Sequence, residues 1–282
     1  MYTLIVENQY GQQLELTHNE AYVVKSVLGM DPPDAVVNTT KYAGQDGSAY
    51  NSSYMNQRVI TITMAINHPA EQNRIALYGF FRSKFPVKIF YKTETRDVWI
   101  EGYVQTFSVA YFDKKETAQI TIICPSPYLR SRFPVHDGFD NIEDLFEFPF
   151  SLPAAGEVFS NVVHGLFESV INYGDLETGL IITITALGEV ISPRIQNLTS
   201  GKFFDLLTTM ESGDVIIINT NRGEKSVKKI HNGVTTNLIA YRSRGSEWIT
   251  LLPGDNIFSV SATSGEEYID VALDFEYLFE GV

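Results

Sequence analysis

The run Ile120-Thr121-Ile122-Ile123-Cys124-Pro125-Ser126-Pro127-Tyr128-Leu129 carries an apolar, β-branched stretch into two prolines. Branched side chains pack well on a pleated surface, and proline cannot donate to a strand ladder, so a strand ends here. The charge changes character just beyond it. Residues 1–136 hold 13 Lys and Arg against 12 Asp and Glu, a net of +1, whereas residues 137–282 hold 8 against 22, a net of −14. A strand that stops at prolines beside a charge discontinuity predicts a seam between two differently built domains, 1–136 and 137–282. The 282-residue length suits two domains.

Composition narrows the class. Hydrophobic residues make up 44% and aromatic residues 12%, enough apolar surface for two cores. The 18 Phe and 15 Tyr lie among short β-branched runs, which favours sheets over helices. No stretch approaches the ~20 apolar residues that span a bilayer, so membrane insertion is not expected. The opening residues Met1-Tyr2-Thr3-Leu4-Ile5-Val6-Glu7 reach a charge too early for a secretory signal. Cys124 is the one cysteine, so no intrachain disulfide forms; it reads as a small buried hydrophobe in a reducing compartment. The acidic balance argues against gripping nucleic acid through its phosphates. Arg222, Lys225, Lys228 and Lys229 are the local exception and read as a solvated loop and strand face.

Upstream of the seam, Tyr2–Val6 and Leu14–Leu16 flank a turn at Asn8-Gln9-Tyr10-Gly11, and Tyr22–Leu28 is a further strand. Residues 31–57 then break the pattern. Asp31-Pro32-Pro33-Asp34 interrupts the sheet, and the remainder of the stretch is rich in Asn, Thr, Gly and Ser, with Gly44-Gln45-Asp46-Gly47 and tyrosines at 42, 50 and 54. Long loops in compact domains are usually functional or disordered, and tyrosine contributes large contact area at low entropy cost. The stretch is therefore expected to be a partner-contacting arm. Arg58–Ile66 reads as a strand. A single helix is predicted over about 69–85, capped by Asn67, with Pro69 near its first position, Glu71 in its first turn and Pro86 ending it. Ile75, Leu77, Tyr78, Phe81 and Phe85 would form its apolar face. Val87–Tyr91 and Val98–Val104 come next as strands around a turn near Glu94–Asp97. Phe107–Tyr111 and Ala118–Cys124 make another hairpin around Asp113-Lys114-Lys115. The expected first domain is a β-sandwich with one helix and one extended arm.

Downstream, Phe148-Pro149-Phe150 leads into a loop ending at Gly156. Short strands then recur at Val158–Val163, Phe167–Asn172, Leu180–Ala186, Arg194–Asn197, Lys202–Leu207, Asp214–Asn219, Val227–Ile230, Trp248–Leu251, Asn256–Ser261 and Ile269–Leu278. Turns at Asn172–Asp175, Asn221-Arg222-Gly223, His231-Asn232-Gly233 and Pro253–Asn256 separate them. That spacing predicts an all-β sandwich of jelly-roll or lectin type.

Catalytic chemistry is poorly represented. None of the five histidines pairs with another or with Cys124 at ligand spacing, so no metal is expected. There is neither a Gly-x-Ser-x-Gly elbow nor a phosphate-cradling Gly-Lys-Ser/Thr loop, so no nucleophile and no cofactor is assigned. Asp137, Asp140, Glu143 and Asp144 cluster, as do Glu266, Glu267 and Asp270. A glycosidase pair or a calcium site at Asp137, Asp140 and Asp144 would need such groups, but an acid-rich half produces them by chance. Exposed aromatics of a lectin-type sandwich bind sugar, for which Tyr241 and Trp248 are the candidates. A tryptophan within a strand is more often core.

The order of these signals resembles the distal tail proteins of siphophages, which carry long non-contractile tails. The resembling strings are Gly44-Gln45-Asp46-Gly47 followed by Arg58–Ile62, the helix from Arg74 to Phe85, Ile100-Glu101-Gly102-Tyr103-Val104, and Cys124–Leu129. In the second half they are Val170–Asp175, Ile191–Asn197, Gly213–Asn219 and Leu251–Asn256. The resemblance implies a non-enzymatic virion protein, assembled in the host bacterial cytoplasm and placed at the tail tip. It implies a homo-hexameric ring closed by the N-terminal domains, with the arm 31–57 belting a neighbour through Tyr42, Gly44, Asp46, Gly47, Tyr50, Tyr54 and Arg58. A galectin-like C-terminal β-sandwich would project outward. The implied partners are the tail tube protein, the tail-tip or baseplate hub and receptor-binding proteins, with neither specific nucleic-acid binding nor membrane insertion. The competing readings are a carbohydrate-binding module assisting cell-wall attachment and a hydrolase built on the acidic clusters.

Overall fold

Strand pairing divides the chain into two compact units in the computed structural model, which describes residues 2–111, 115–138, 140–144, 160–164 and 167–282. Unit 1 is Met1–Arg132 together with Leu278–Val282, and unit 2 is Phe133–Tyr277. The fold is mainly β, with one α-helix among the described residues. The expected boundary at 136/137 therefore moves to 132/133, and the last five residues belong with the first unit. Backbone pairing rather than net charge sets the seam, because Val135–Gly138 already pairs with Ile269–Phe275 of unit 2. The loop expected after Phe148-Pro149-Phe150, and Asp113 and Lys114 of an expected turn, lie outside the described residues, as do the side chains of Asp140, Glu143 and Asp144.

In unit 1 the strands are β1 (Thr3–Glu7), β2 (Gln13–Glu15), β3 (Tyr22–Leu28), β4 (Ala35–Thr40), β5 (Ala49–Met55) and β6 (Arg58–Ile66). Helix α1 (Ala70–Phe80) precedes β7 (Pro86–Lys92), β8 (Asp97–Ala110), β9 (Thr117–Cys124) and β10 (Leu129–Ser131). One sheet runs β2-β1-β7-β8-β9-β6-β3. Its strands alternate in burial, as period-2 side chains must when one face meets a core. Leu4 and Val6, Val87 and Ile89, Val98 and Ile100, Ile120 and Ile122, and Ile60, Ile62 and Met64 all point inward and are buried. Each contributes about 1.5–3 kcal/mol by leaving water.

Four local expectations change. The strands expected at 98–104 and 107–111 are one 14-residue strand, β8, because a register shift between Val104 and Thr106 absorbs the irregularity without ending the ladder. The helix stops at Phe80, not near 85. Pro86 restricts Phe85 to extended backbone, and Lys84 reverses the chain at φ 75°. Its N–H then donates to Val104 O at 2.9 Å, and Val104 N–H donates to Phe85 O at 3.2 Å. The helix face is narrower than its apolar spacing suggests: Leu77 and Phe81 are buried, while Ile75, Tyr78 and Phe85 are exposed. Asn67 does not cap it. The Asn67 side chain instead donates to Glu20 O at 2.6 Å, and Pro69 occupies the cap position.

In unit 2 the strands are β11 (Val135–Gly138), β12 (Asp140–Asp144), β13 (Ser160–His164), β14 (Phe167–Asn172), β15 (Leu180–Ala186), β16 (Val190–Ile191), β17 (Arg194–Asn197) and β18 (Phe203–Asp205). They continue with β19 (Thr209–Met210), β20 (Val215–Asn219), β21 (Ser226–His231), β22 (Val234–Asn237), β23 (Gly254–Ser261) and β24 (Ile269–Phe275). A six-stranded sheet, β11-β24-β15-β20-β21-β22, and a four-stranded sheet, β14-β23-β17-β18, supply one shared core. Ile182, Ile184, Ile216, Val271 and Leu273 come from the first, and Val170, Ile195, Phe204 and Phe258 from the second. The expected strand Ile269–Leu278 is broken: β24 ends at Phe275, and β25 (Leu278–Phe279) pairs with β10 in unit 1.

The expected strand Trp248–Leu251 is absent because side chains take the place of a neighbouring strand. Three buried asparagines hold this segment. Asn172 Nδ2 donates to Leu251 O at 3.3 Å, and Asn197 Nδ2 to Thr250 O at 3.0 Å. Asn256 accepts from Leu252 N–H at 2.9 Å and donates to Leu252 O at 2.7 Å. Asn197 and Asn256 are themselves joined at 3.0 Å. One isolated bridge, Thr178 to Leu251, completes the arrangement.

A second polar device ties β20 to β21. Asp214, 1% exposed, accepts from Lys229 Nζ at 2.7 Å, from the Glu211 N–H at 2.7 Å, and from His231 Nδ1 at 2.5 Å. Burial alone would raise its carboxyl. The three hydrogen bonds and the Lys229 charge outweigh that and hold it at about 2. This splits the expected basic face: Lys229 is engaged here, and Lys225 lies over Trp248.

Two stability outcomes are expected. Replacing Asn197 with Leu strands the buried Thr250 carbonyl and removes one of the bonds to Asn256, which costs about 1–3 kcal/mol in urea unfolding followed at Trp248. Because the Asp214 carboxyl is depressed, its stabilisation is full above the ordinary carboxylate range near 4 and is lost as pH falls toward 2. Unfolding curves from pH 5 to pH 2 are expected to show that loss in the native chain and a shallower one in Asp214→Asn.

Candidate functional site

Residues 31–57 form a hairpin. β4 and β5 pair in six registered positions from Ala35↔Met55 to Thr40↔Ala49, with an irregularity at Asn38/Thr39. They hydrogen-bond as a sheet of their own. The cross-strand side-chain bonds are polar: Asn38 Nδ2 to Ser52 Oγ at 3.1 Å and Asn51 Nδ2 to Thr40 Oγ1 at 2.6 Å. Nearly every position is exposed, on both faces. Such a ribbon is marginal in water by itself and leaves both outer edges with unpaired backbone groups.

The residues singled out by composition separate into three kinds. Tyr42, Tyr50 and Tyr54 are 58%, 65% and 56% exposed, and Asp46 is exposed at the tip. Gly44 and Gly47 sit at φ 81° and 86°, so the tip needs their left-handed backbone whatever it touches. Arg58 differs from the expectation: it is buried, and it closes the base of the arm instead of presenting a contact surface.

Arg58 is the first residue of β6, beside Cys124 on β9. Its guanidinium donates to four backbone carbonyls. These are Pro127 O at 2.7 Å, Gly29 O at 2.6 Å, Asp31 O at 2.8 Å and Glu280 O at 2.5 Å. Gly29 and Asp31 belong to the outgoing root of the arm and Arg58 to the returning root, so one side chain cinches the neck. Gly29 lies at φ 89°, and a Cβ there would stand 2.0 Å from Val59 O, so only glycine fits. Burial lowers the Arg58 pKa, partly countered by Cys124 and Asp31. Burial likewise pushes the Cys124 thiol up to about 12 despite Arg58, leaving it protonated and unreactive at neutral pH.

The segment Leu278–Val282 completes the neck, although its place in the sequence groups it with the other domain. β25 pairs with β10 through Leu129↔Phe279 and Arg130↔Leu278. Arg96 donates to Gly281 O and stacks over Phe279 at 4.6 Å. Val282 N–H donates to Met30 O at 3.3 Å. A Cβ on Gly281 would meet Pro32 Cδ at 2.8 Å, so the strap lies against the arm's first residues. An arginine opening an otherwise apolar strand is the one signal in the sequence that such carbonyl partners exist.

The sugar candidates are not arranged for stacking. Trp248 packs against the unit 2 core, its ring centroid 5.2 Å from Phe204, with Lys225 Nζ at 5.4 Å and the Arg242 guanidinium at 5.9 Å over it. Tyr241 is half-exposed in the short 3₁₀ turn Ile239–Tyr241. Among the described residues no group of three or more His, Cys, Asp or Glu gathers at metal-binding distance. Among them, too, no helix is long and apolar enough to cross a membrane.

The described residues thus form two β units, one of which bears an exposed ribbon. Comparison with known proteins specifies the family. Residues 9–124 match the phage tail protein RIFT-related domain, and residues 173–277 match the siphovirus-type tail component, C-terminal domain. The crystal structure of the Dit protein of phage SPP1, described as a paradigm of hub adsorption apparatus in Gram-positive infecting phages, is similar at TM-score 0.70 and 14% identity over 99% of both chains. A chain of the phage P2 baseplate in its activated conformation with Ca is similar at TM-score 0.53 and 11% identity over all of both chains, and the Sr form gives the same values. No curated protein sequence matches. The chain belongs to the distal tail protein family of siphophages. It is a structural component of the virion tail and not an enzyme.

The neck makes a sharp prediction. Arg58→Met removes the charge but strands buried carbonyls, so unit 1 should lose about 3 kcal/mol or more. Arg58→Lys should recover little, since an ammonium lacks the planar fork that reaches four acceptors. Urea unfolding followed at Trp99 in a Trp248→Phe background reads unit 1 by itself.

Proposed function

We propose that six copies of this chain close into a ring at the distal end of a long non-contractile tail, joining the tail tube to the tail-tip or baseplate hub for host adsorption. The supporting observation is the arm: a ribbon exposed on both faces, with open edges and three exposed tyrosines, held at its neck by a buried arginine. A ribbon this marginal in water gains most by laying its edges and aromatic side chains on another surface. A second copy is the partner in this reading, contacted through Tyr42, Asp46, Tyr50 and Tyr54. Gly44 and Gly47 shape the tip, and Arg58 fixes where the arm departs. Unit 2 is read as a galectin-like outer domain that serves as scaffold for hub or receptor-binding proteins. Assembly would take place in the bacterial cytoplasm, at the growing tail.

Carbohydrate attachment through Trp248 is not favoured, because core packing and two cations already engage its ring. Replacing Tyr42, Tyr50 and Tyr54 with Ala should weaken subunit association by ~2 kcal/mol for each tyrosine that acts as a hot spot, about 30-fold in affinity. Light scattering and negative-stain images should show rings with a central opening for the native chain and free subunits for the triple variant at equal concentration. Rings of unchanged abundance in the variant would refute the assignment of the arm.

A further inference from the structure

Unit 1 is discontinuous in sequence. Its first 132 residues cannot by themselves supply every partner of Arg58, because one of the four carbonyls belongs to Glu280. The segment that brings it does four things at the neck of the arm. Glu280 O accepts from Arg58, Gly281 O accepts from Arg96, Val282 N–H donates to Met30 O, and the bare Cα of Gly281 lies against Pro32. Met30 and Phe279 are both buried. The neck thus depends on residues that the ribosome adds only after all of unit 2.

We propose that Leu278–Val282 is a clasp that fixes the arm's direction, so that a chain becomes competent to grip a neighbour only after the residues downstream of unit 2 have docked. The physical basis is the cost of an incompletely bonded buried cation. Without Glu280 O, Arg58 keeps three carbonyls and must find water for the remaining donor, which opens the neck that the guanidinium closes. The loss of β25 also uncovers one edge of β10 and removes the wedge against Pro32. The hairpin's internal ladder makes no use of the clasp, so the arm remains a ribbon but loses its fixed exit. Unfinished chains would then be excluded from assembly by geometry. This last consequence rests on the subunit-gripping role proposed above; the coupling of clasp to neck does not.

Hydrogen exchange followed by mass spectrometry tests the coupling on the full chain, on a chain ending at Tyr277, and on Gly281→Val in the full chain. The shortened chain should exchange at least tenfold faster at the neck, residues 29–35 and 55–60, with residues 180–186 and 215–219 of unit 2 unchanged. Gly281→Val should raise exchange several-fold at residues 30–33 while Leu129–Ser131 stays protected, and it decides the matter if the shortened chain does not fold. Neck protection that is unaltered in both variants overturns the proposal. Ring formation is scored separately. Native rings with a shortened chain that stays unassembled support the gate, and a shortened chain that joins rings as well as the native one overturns it. Native chains that form no ring even with tube and hub present refute the proposed function, while the exchange comparison still decides the clasp.

Discussion

A guanidinium buried among backbone carbonyls sets the geometry of the first unit. Moving a cation out of water costs several kcal/mol even after the protein relaxes, and the cost is tolerable only when its donors are used. Arg58 meets that condition with carbonyl dipoles drawn from Gly29, Asp31, Pro127 and Glu280. Those residues lie far apart in the chain, so the requirement of one side chain fixes the start of β6, both roots of the arm, the proline-bearing stretch after β9 and the residues after β25. The neighbouring thiol offers no counter-charge, since burial keeps Cys124 protonated. Arginine suits the place better than lysine because its planar head presents several donors in fixed directions.

Unit 2 solves a related problem with neutral groups. The segment after Trp248 has no strand to pair with, yet its carbonyls lie inside the sandwich. Asn172, Asn197 and Asn256 stand at the ends of β14 and β17 and near the start of β23, and their amides provide the donors and acceptors that a strand would have offered. Both units therefore keep irregular backbone buried by dedicating polar side chains to it, which satisfies the requirement that buried peptide groups be bonded.

Much of the fold is legible in local composition. Arg58–Ile66, Ala118–Cys124, Leu180–Ala186 and the strands around 215–219 and 256–261 announce themselves as short runs rich in apolar and β-branched residues. The failures share one cause, which is that the deciding partner is distant in sequence. Nothing near Val104 shows that a neighbouring strand tolerates an extra residue, so β8 reads as two strands. Phe85 looks helical because its register with β8 is invisible locally. Trp248–Leu251 has strand composition, and only the asparagines explain why it is not one. At the arm, composition alone singles out the tyrosines and glycines. It misplaces Arg58 and misses the strap, because an arginine before a β-branched run looks like a surface cation until its four acceptors are seen together.

The pairing of β10 with β25 has a consequence for how this architecture changes over evolutionary time. Arg130 and Leu278 are opposite one another in an antiparallel ladder, so the chain leaves unit 1 and re-enters it at adjacent points, about 5 Å apart. Whatever is strung between them meets a single geometric demand, that its two ends lie side by side. An antiparallel sandwich satisfies that readily, and so would a larger, smaller or unrelated module. The scaffold therefore permits exchange of the intervening module without altering the pairing of the strands that carry the arm.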